Sequence, residues 1–509
     1  MAVIAIDLGT TVCKAAVFDG PALLGIARGR YGWSALGEGC AEQDPEHVWS
    51  CLDRVVRTAL LHAQRPAIRA ICVSVQGDAI IPIDIRGVAL RPAILGMDTR
   101  SHSEAADLQS HFGRGQLYSA TGMPCEPLNA ITKVFWLIRN EPDLLRRVWK
   151  FVHYEEFLLM KLAGIPAVDF SMASRTMAFD PVRKDWVGDI LDMVGVRPAQ
   201  LGNVCPSGAP VGIVLRSIAD EWDISRDALV ITGGHDQCVS ALGAGVIAPG
   251  LACYSMGTAE VIGACLAIPR MNAMSATMLA GNYPCYCHVA PDRYFTITLN
   301  QSGGLSLDWF QRATGDGTPA CDDDALMASV ERLCPRPSEV LFLPHIVGSG
   351  TPTCDHLSRA AFIGMSLRTT HDDLFQAVVD AMCFEARINL EWLDTLGVHI
   401  HELRAVGGGA RSRKMLELKA GILNRPISTL RVPEAALLGA SLLAHVAIGA
   451  YAGLDDAVND CVALESTVEP RAAIVDAYEE SWERYRQLYG VLKNYYHNWR
   501  TECPATVLV

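Results

Sequence analysis

The chain has 509 residues, half of them apolar and about a fifth charged, with a formal net charge of −13 at pH 7. That length exceeds one ordinary hydrophobic core and predicts at least two domains. Basic residues are dispersed, so neither nucleic acid nor a membrane surface is expected as a partner. Seventeen cysteines, spread singly, are typical of reduced thiols and predict a cytoplasmic protein without a disulfide framework.

An apolar strand, a small turn and a second apolar strand open the chain, over Val3–Phe18 (VIAIDLGTTVCKAAVF). Glycine allows close backbone approach and the neighbouring threonines can donate to an anion, so the turn predicts a phosphate cradle. Asp7 ends the first strand, where an unpaired carboxylate is costly. Mg²⁺ on a nucleotide, held through waters, would meet that charge. An aspartate that only caps the turn is the alternative.

Strands and helices alternate along the rest of the chain, which predicts an α/β fold. After the opening hairpin, apolar residues at helical spacing predict a helix, and a strand and further helices follow it. The first predicted elements after the hairpin are a helix at Gln43–Ala63, a strand at Ala70–Ser74, and helices at Ile131–Asn140 and Tyr154–Leu162.

The segment Gly233–Gln237 (GGHDQ) follows a predicted strand, Ala228–Ile231. Two glycines before Asp236 let the backbone expose that carboxylate in a cleft. A kinase of a sugar hydroxyl needs a base within hydrogen-bond reach of the attacking oxygen, an effect of about 10²- to 10⁴-fold in rate. An aspartate that caps a helix N-terminus is the alternative.

The opening pattern restarts at Leu251–Leu266 (LACYSMGTAEVIGACL), with Gly257 and Thr258 in its turn. The repeat predicts two related lobes that hold a nucleotide phosphate chain between them. Asp7 belongs only to the first copy, so metal handling is expected to be asymmetric. The predicted organisation is an N-terminal lobe over residues 1–248, a C-terminal lobe over 249–460, and a helical tail over 461–509.

Two further segments stand out in the second half. Gly407–Ser412 (GGGARS) follows a strand and opens a helix, where glycines allow adenine or ribose to lie against the backbone. A tight strand-to-helix turn is the alternative. Ala435–Leu454 is twenty residues without a formal charge, long enough to span a bilayer. Its alanine and glycine content and its central His445 favour a buried helix instead.

In their order, these motifs resemble the FGGY carbohydrate kinases. They include DLGTT, GGHDQ, SMGTA, GGLSLDWF, GGGARS and PEAALLGASLLA, and they cover essentially the whole chain. The C-terminal signature of the family fits through Ala360–Met365 and Asp373–Asp380. The N-terminal signature fits in part at Lys133–Leu137, because Ala130 stands where Pro, Ser or Thr is usual. The closing Tyr485–Tyr489 is typical of the xylulokinase-like members.

The resemblance implies an actin-like ATPase (ribonuclease H-like) fold with two duplicated lobes around a central cleft, and ATP and Mg²⁺ as cofactors. Asp236 would be the base, and Asp7 would help hold Mg-ATP. Phosphate contacts are implied for Gly9, Thr10, Thr11, Lys14, Gly257 and Thr258. Adenosine contacts are implied for Gly408, Gly409, Ala410 and Ser412. Ala259 stands where many relatives have Ser, which would remove one phosphate contact.

Sugar contacts follow less directly from the resemblance. They are implied for Gln76, Gly77, Asp78, Asp98, Arg100, Asp236 and Gln237. The Met-His-Gly of xylulokinase-like relatives is replaced by Gly77–Ala79, and their usual Trp by Gly96. Asp78 is similar to an acidic residue of the glycerol kinases, whose neighbouring arginine is missing. A surface loop is the alternative for Asp78.

The predicted reaction is ATP-dependent phosphorylation of a small sugar, with D-xylulose to D-xylulose 5-phosphate as the first choice. Another ketopentose, a polyol such as glycerol or erythritol, and an aldonate are the alternative acceptors. An actin-like ATPase that serves protein partners is a distant alternative, which Asp236 and the Asp98–Arg100 pair disfavour. A silent sugar-binding relative is disfavoured because Asp7 and Asp236 are both present. The expected partner is a sugar or polyol, with a homodimer as a further option.

Overall fold

The computed structural model describes residues 1–37, 39–269, 271, 275–315 and 329–502. Strands and helices alternate as expected, and two large sheets carry the fold. The strands are β1 (Ala2–Leu8), β2 (Val12–Asp19), β3 (Ala22–Arg30), β4 (Ser34–Gly37), β5 (Cys40–Gln43), β6 (Ile68–Val75), β7 (Ile81–Ile83), β8 (Ala93–Ile94), β9 (Lys150–Val152), β10 (Ala167–Asp169), β11 (Phe179–Asp180), β12 (Asp185–Trp186), β13 (Asn203–Cys205), β14 (Pro210–Ile213), β15 (Leu229–His235), β16 (Leu251–Met256), β17 (Glu260–Leu266), β18 (Tyr286–Cys287), β19 (Tyr294–Ile297), β20 (Leu341–Leu343), β21 (Ala361–Ile363), β22 (Glu402–Val406), β23 (Ile427–Leu430) and β24 (Leu464–Val468).

The helices connect these strands and cover both sheets. They are α1 (Pro45–His62), α2 (His102–Phe112), α3 (Arg114–Thr121), α4 (Ala130–Asn140), α5 (Pro142–Leu145), α6 (Tyr154–Ala163), α7 (Phe170–Arg175), α8 (Gly188–Val194), α9 (Arg216–Trp222), α10 (Asp236–Gly243), α11 (Ser275–Ala280), α12 (Gly304–Thr314), α13 (His371–Thr395), α14 (Arg413–Leu423), α15 (Ala435–Ala447), α16 (Leu454–Cys461) and α17 (Ala472–Glu502).

The first sheet has the strand order β14-β15-β6-β1-β2-β3. β1 pairs with β2 in antiparallel and with β6 in parallel, which confirms the predicted opening hairpin. The register places Asp7 opposite Lys14 on one side and Ser74 on the other. β1 is apolar along nearly its whole length because the sheet is covered on both faces. Its only polar residue, Asp7, comes at the end that meets the cleft.

The second sheet has the order β18-β19-β17-β16-β22-β23-β24 and repeats the antiparallel hairpin in β16 and β17. β22 pairs with β16 in parallel, as β6 does with β1. This duplication confirms the two related lobes. The predicted helical tail differs in its first residues, because β24 pairs with β23 at the edge of this sheet. The boundary at residues 248 and 249 stays a prediction.

The first part of the uncharged stretch forms α15, a thirteen-residue buried helix that packs on α10 and on β1 and β6 of the first sheet. It crosses α10 at two glycines, where a Cβ on Gly243 or Gly439 would lie 1.9 Å from a backbone oxygen of the other helix. Small residues therefore serve the close approach of two helices. In the described part of the chain, no helix is both long and apolar enough to cross a membrane.

Candidate active site

Two side chains fix the first phosphate turn (residues 9–11) by donating hydrogen bonds to its backbone carbonyls. Tyr31 Oη donates to Gly9 O (2.5 Å), and Gln43 Nε2 donates to Thr10 O (2.8 Å). Among the described residues, none bonds the hydroxyl of Thr10 or Thr11. The turn therefore keeps its side-chain donors available for an anion, as a phosphate cradle requires.

Asp7 lies at the base of this turn. Ser74 Oγ donates to its Oδ1 (3.1 Å), whereas Lys14 Nζ is 3.9 Å from Oδ2 and bonds Glu434 Oε2 at 2.6 Å. Burial raises the pKa of Asp7, and Lys14 opposes that shift. Oδ2 has no hydrogen bond within the described residues. One carboxylate with a free oxygen fits Mg²⁺, a hard cation that keeps most of its waters.

Asp236 is the first residue of α10, and its side chain is 27 % exposed in the cleft. The preceding glycines are required by geometry, since a Cβ on Gly233 would lie 1.5 Å from Val73 O and Gly234 has a φ of +151°. Burial raises the pKa of Asp236 to about 7, the charge of Asp7 adds to the shift, and Arg175 opposes it. A carboxylate tuned in this way suits a general base near neutral pH.

Buried polar groups hold the backbone around this base. Glu155 Oε1 accepts from Gly233 N (3.0 Å), and Ser171 Oγ accepts from His235 N (3.0 Å). Asp169 in turn receives the Ser171 hydroxyl (2.9 Å). Nothing in the sequence singles out these residues, because each belongs to a segment that carries no recognisable motif of its own.

The raised pKa of Asp236 predicts a pH dependence. Because the base must be ionised, we expect kcat/KM to rise with pH through about 7 and to level off above it. The measurement is kcat/KM for the sugar from pH 5.5 to 9, with the coupling enzymes shown not to limit. A profile that is flat below pH 6 would contradict the assignment.

Asp78 is buried, with a φ of +62°. The surface-loop alternative is therefore wrong. Arg175 donates to its Oδ2 through Nη2 and through Nε (3.2 Å), while Oδ1 is buried without a partner in the described residues. Arg175 comes from α7, 97 positions along the chain. Asp78 therefore has an arginine partner, although the arginine next to it in the sequence of glycerol kinases is missing here.

Lys133 fastens the loops on either side of Asp78. Its buried Nζ donates to Asp78 O (2.9 Å), Gly96 O (3.1 Å) and Leu128 O (2.7 Å). Burial lowers its pKa to about 8. A Cβ on Gly96 would lie 2.8 Å from Gly77 O. A tryptophan, which is usual at position 96 in xylulokinase-like relatives, would not fit here, because this packing leaves no room for a side chain.

Asp98, Arg100 and Gln76, three further residues predicted to contact the sugar, make hydrogen bonds within the protein. Asp98 is fully buried and accepts from Ala41 N (2.6 Å) and from Arg100 Nη2 (2.7 Å). Arg100 Nη1 also donates to Glu42 Oε1 (2.7 Å). Gln76 N donates to Leu8 O (2.8 Å), next to the phosphate turn. Direct contacts of these side chains and of Gln237 with a sugar stay predictions.

The second phosphate turn rests on the start of α12. Gly257 O accepts from Gly304 N and Thr258 O accepts from Leu305 N, both at 3.0 Å. The GGLSLDWF motif is therefore the support of this turn.

Behind the second turn lies a buried ion pair. Lys419 Nζ donates to Glu260 Oε1 (2.9 Å) and to Tyr254 Oη (2.8 Å). Burial alone would lower the pKa of Lys419, but the charge of Glu260 raises it. The pair joins β17, which leaves the phosphate turn, to α14, which leaves the GGG segment.

A cavity of about 490 Å³ opens beside that segment. Gly408 and Ala410 line it, and Lys14 and Glu434 line its side toward the first phosphate turn. Gly409 packs against Met256 instead. Ser412 Oγ accepts from Met415 N (3.2 Å) and so caps α14. Two of the four predicted adenosine residues thus line a cavity large enough for a nucleoside.

Gly408 and Gly409 form a matched pair for testing this cavity. A Cβ on Gly408 meets nothing within 4 Å, whereas one on Gly409 would lie 2.9 Å from Met256 Cβ. We expect Gly408→Leu to raise the KM for ATP by about tenfold, roughly 1.4 kcal/mol, with an unchanged melting temperature. Gly409→Ala should instead lower the melting temperature. Equal KM values for Gly408→Leu and the wild type would exclude this cavity as the nucleotide site.

Two Gly-Thr turns, a partly exposed carboxylate at the start of α10 and a nucleoside-sized cavity, on a duplicated α/β frame, are the features expected of a sugar kinase with the actin-like ATPase fold. Residues 2–243 match the N-terminal domain, and residues 252–448 the C-terminal domain, of the FGGY family of carbohydrate kinases. The chain belongs to this family.

Named relatives span nearly the whole chain. It is 26 % identical to a xylulose kinase of Staphylococcus epidermidis over 96 % of this chain and 97 % of the relative. It is 28 % identical to a glycerol kinase of Bordetella parapertussis over 97 % of each. The crystal structure of a "xyloylose kinase" from Brucella ovis matches with a TM-score of 0.87 and 28 % identity, over 97 % of this chain and all of that one.

Proposed function

We propose that this carbohydrate kinase transfers the γ-phosphoryl group of ATP to the 5-hydroxyl of D-xylulose, giving D-xylulose 5-phosphate and ADP. The observation that carries the proposal is Asp236, a partly exposed carboxylate with its pKa raised to about 7, which lies close enough to Asp7, Arg175 and Asp78 for their charges to act on it. Several relatives named as xylulose kinases, at 23–26 % identity, support the choice of sugar.

In the proposed step, Asp236 Oδ2 takes the proton of the attacking hydroxyl. The hydroxyl oxygen bonds to the γ-phosphorus while the bond to the β,γ-bridging oxygen breaks, and that oxygen leaves with ADP. The Thr10 and Thr11 hydroxyls orient the phosphates from the first turn, and Gly257 and Thr258 do so from the second. Mg²⁺, held near Asp7 through water, would supply neutralising charge when bound.

The charge around the base favours a neutral acceptor. Asp7 and Asp78 both act on Asp236 as like charges, and Arg175 is the opposing cation, already bound to Asp78. A carboxylated sugar would add a further negative charge to this site. An aldonate is therefore the least favoured acceptor.

A small polyol is the second candidate. The Asp78–Arg175 pair can donate to and accept from vicinal hydroxyls, and the relative from Bordetella parapertussis is named a glycerol kinase. A cytoplasmic location and a homodimer stay predictions.

The deciding experiment is a coupled assay of ADP release with D-xylulose, D-ribulose, xylitol, erythritol, glycerol and gluconate, at matched Mg-ATP. We expect the highest kcat/KM with D-xylulose, and ³¹P-coupled NMR should place the phosphate on C5. A higher value for glycerol or erythritol would favour the polyol reading. ATP turnover that no sugar changes would overturn the proposal.

A further inference from the structure

The side-chain amide of Gln43 lies between the first phosphate turn and a residue that is predicted to contact the sugar. Gln43 is the last residue of β5 and is only 3 % exposed. Its Nε2 donates to Thr10 O (2.8 Å), in the turn, and to Gly32 O (3.1 Å). Its Oε1 accepts from Tyr154 Oη (2.8 Å) and from Gln76 Nε2 (3.3 Å). An amide has two donor and two acceptor positions, so this one uses its full hydrogen-bonding capacity.

The partners of Gln43 fix the direction in which both amides point. Two carbonyl oxygens face one end of the Gln43 amide, so that end must be the NH₂ group. The other end is an oxygen that only accepts, so Gln76 turns its own NH₂ group toward it. Gln76 Oε1 accepts no hydrogen bond from the described residues, so it is available to a ligand hydroxyl. A chain of two amides therefore runs from that oxygen to the backbone of the phosphate turn.

We propose that Gln43 is a positioning residue that couples the sugar site to the first phosphate turn. A sugar hydroxyl at Gln76 Oε1 orders the Gln76 side chain, which holds Gln43, and Gln43 fixes the Thr10 carbonyl. Because the first ligand has already ordered these side chains, the second ligand binds without that entropic cost. Each substrate then binds more tightly in the presence of the other. The identity of the sugar rests on the proposed function, whereas the path from Gln76 to the turn does not.

The coupling is measured with Mg-AMP-PNP, an ATP analogue whose imido bridge resists phosphoryl transfer. Calorimetry gives its Kd without sugar and its Kd with saturating D-xylulose, and the coupling ratio is the first divided by the second. We expect a ratio of about five in the wild type, and AMP-PNP should lower the Kd for D-xylulose by the same factor. In Gln43→Glu the ratio should fall below about two, because an oxygen then faces the Thr10 and Gly32 carbonyls. A ratio equal to that of the wild type would overturn the proposal.

Gln376 provides a matched control for the loss of a buried amide. It is also a buried glutamine, and its Nε2 donates to Asp380 Oδ1 (2.9 Å) and to Tyr478 Oη (3.2 Å) in the C-terminal lobe. We expect Gln376→Glu to lower the melting temperature and to leave the coupling ratio unchanged. Equal losses of coupling in Gln376→Glu and Gln43→Glu, after correction for folded fraction, would assign the effect to packing and overturn the proposal.

Tyr31 separates coupling from a simple hold on the turn. Its hydroxyl also donates to a carbonyl of the turn, that of Gly9, but it makes no hydrogen bond with Gln76 within the described residues. Tyr31→Phe should therefore raise both Kd values for Mg-AMP-PNP by about threefold and leave their ratio unchanged. A ratio that falls as far in Tyr31→Phe as in Gln43→Glu would show that any loosening of the turn removes the coupling, and it would remove Gln43 from its specific role.

The path itself can be tested without any sugar. Gln76→Met keeps a side chain of similar length but has no amide. We expect this change to raise the Kd for Mg-AMP-PNP by about threefold in the wild-type background. In the Gln43→Glu background it should have no further effect, because the path is already interrupted. An unchanged Kd in Gln76→Met overturns the path. If D-xylulose neither binds nor is phosphorylated while this cycle behaves as expected, only the proposed function fails.

Discussion

Asp236→Asn is expected to lower kcat by about 10²- to 10⁴-fold while both substrates still bind. The amide keeps the shape of the carboxylate but cannot take a proton at neutral pH. ATP binding is predicted to depend on the two turns and on the cavity at Gly408, and Asp236 is not among the residues that line that cavity. The measurement is steady-state turnover, together with calorimetric binding of ATP and of the sugar.

Asp380 provides the matched control for this substitution. Burial raises the pKa of this aspartate to about 7 as well, but Asp380 is buried in the C-terminal lobe and accepts from Ser338 N and Tyr478 Oη, both at 2.9 Å. We expect Asp380→Asn to change stability and to leave kcat within about threefold. If Asp236→Asn kept more than a tenth of the wild-type turnover, another group would have to be the base.

Lys419→Met is expected to lower the free energy of unfolding by about 3–5 kcal/mol. The change leaves the Glu260 carboxylate buried without its counter-charge, since the Lys419 side chain is 0 % exposed and Glu260 only 3 %. Urea unfolding followed by tryptophan fluorescence measures the loss. The KM for ATP should rise as well, because the pair fixes the second phosphate turn against α14.

Two further variants show whether the loss of stability comes from the unpaired buried charge. The double variant Lys419→Met with Glu260→Gln removes both charges, so it should recover part of the stability that the single variant loses. Lys161→Met breaks the more exposed pair with Glu46 and should cost about 1 kcal/mol or less. Equal losses for Lys419→Met and Lys161→Met would show that the buried pair contributes no more than a surface pair.

The sequence predicts the short local motifs of this protein and their positions well. Both hairpins, the GGHDQ segment and the GGG turn are short, and glycines mark each of them in the sequence. The roles of Arg175 and Glu434 could not be predicted, because only the tertiary fold brings them to Asp78 and to Lys14. Glu434, for example, meets Lys14 across 420 positions.

Burial also decides what a charged side chain can do. Asp98 and Arg100 match the family pattern in sequence, yet the structure pairs them with each other and with Glu42. Pattern alone does not tell whether a carboxylate faces a ligand or a neighbouring guanidinium. Residues 464–468 were likewise predicted to belong to the helical tail, although they form β24. Five residues are too few for an alternation of apolar and polar side chains to identify an edge strand.

The close contact of α10 and α15 at Gly243 and Gly439 limits which parts of such an enzyme can change during evolution. α10 begins with the base, and α15 follows directly on Glu434, the partner of the phosphate-side Lys14. The spacing between the predicted base and the first turn is thus set by two backbones in contact, away from the loops around Asp78. Those loops can be remodelled for a new acceptor while the transfer distance stays constant, so selectivity and chemistry can evolve on separate parts of one scaffold.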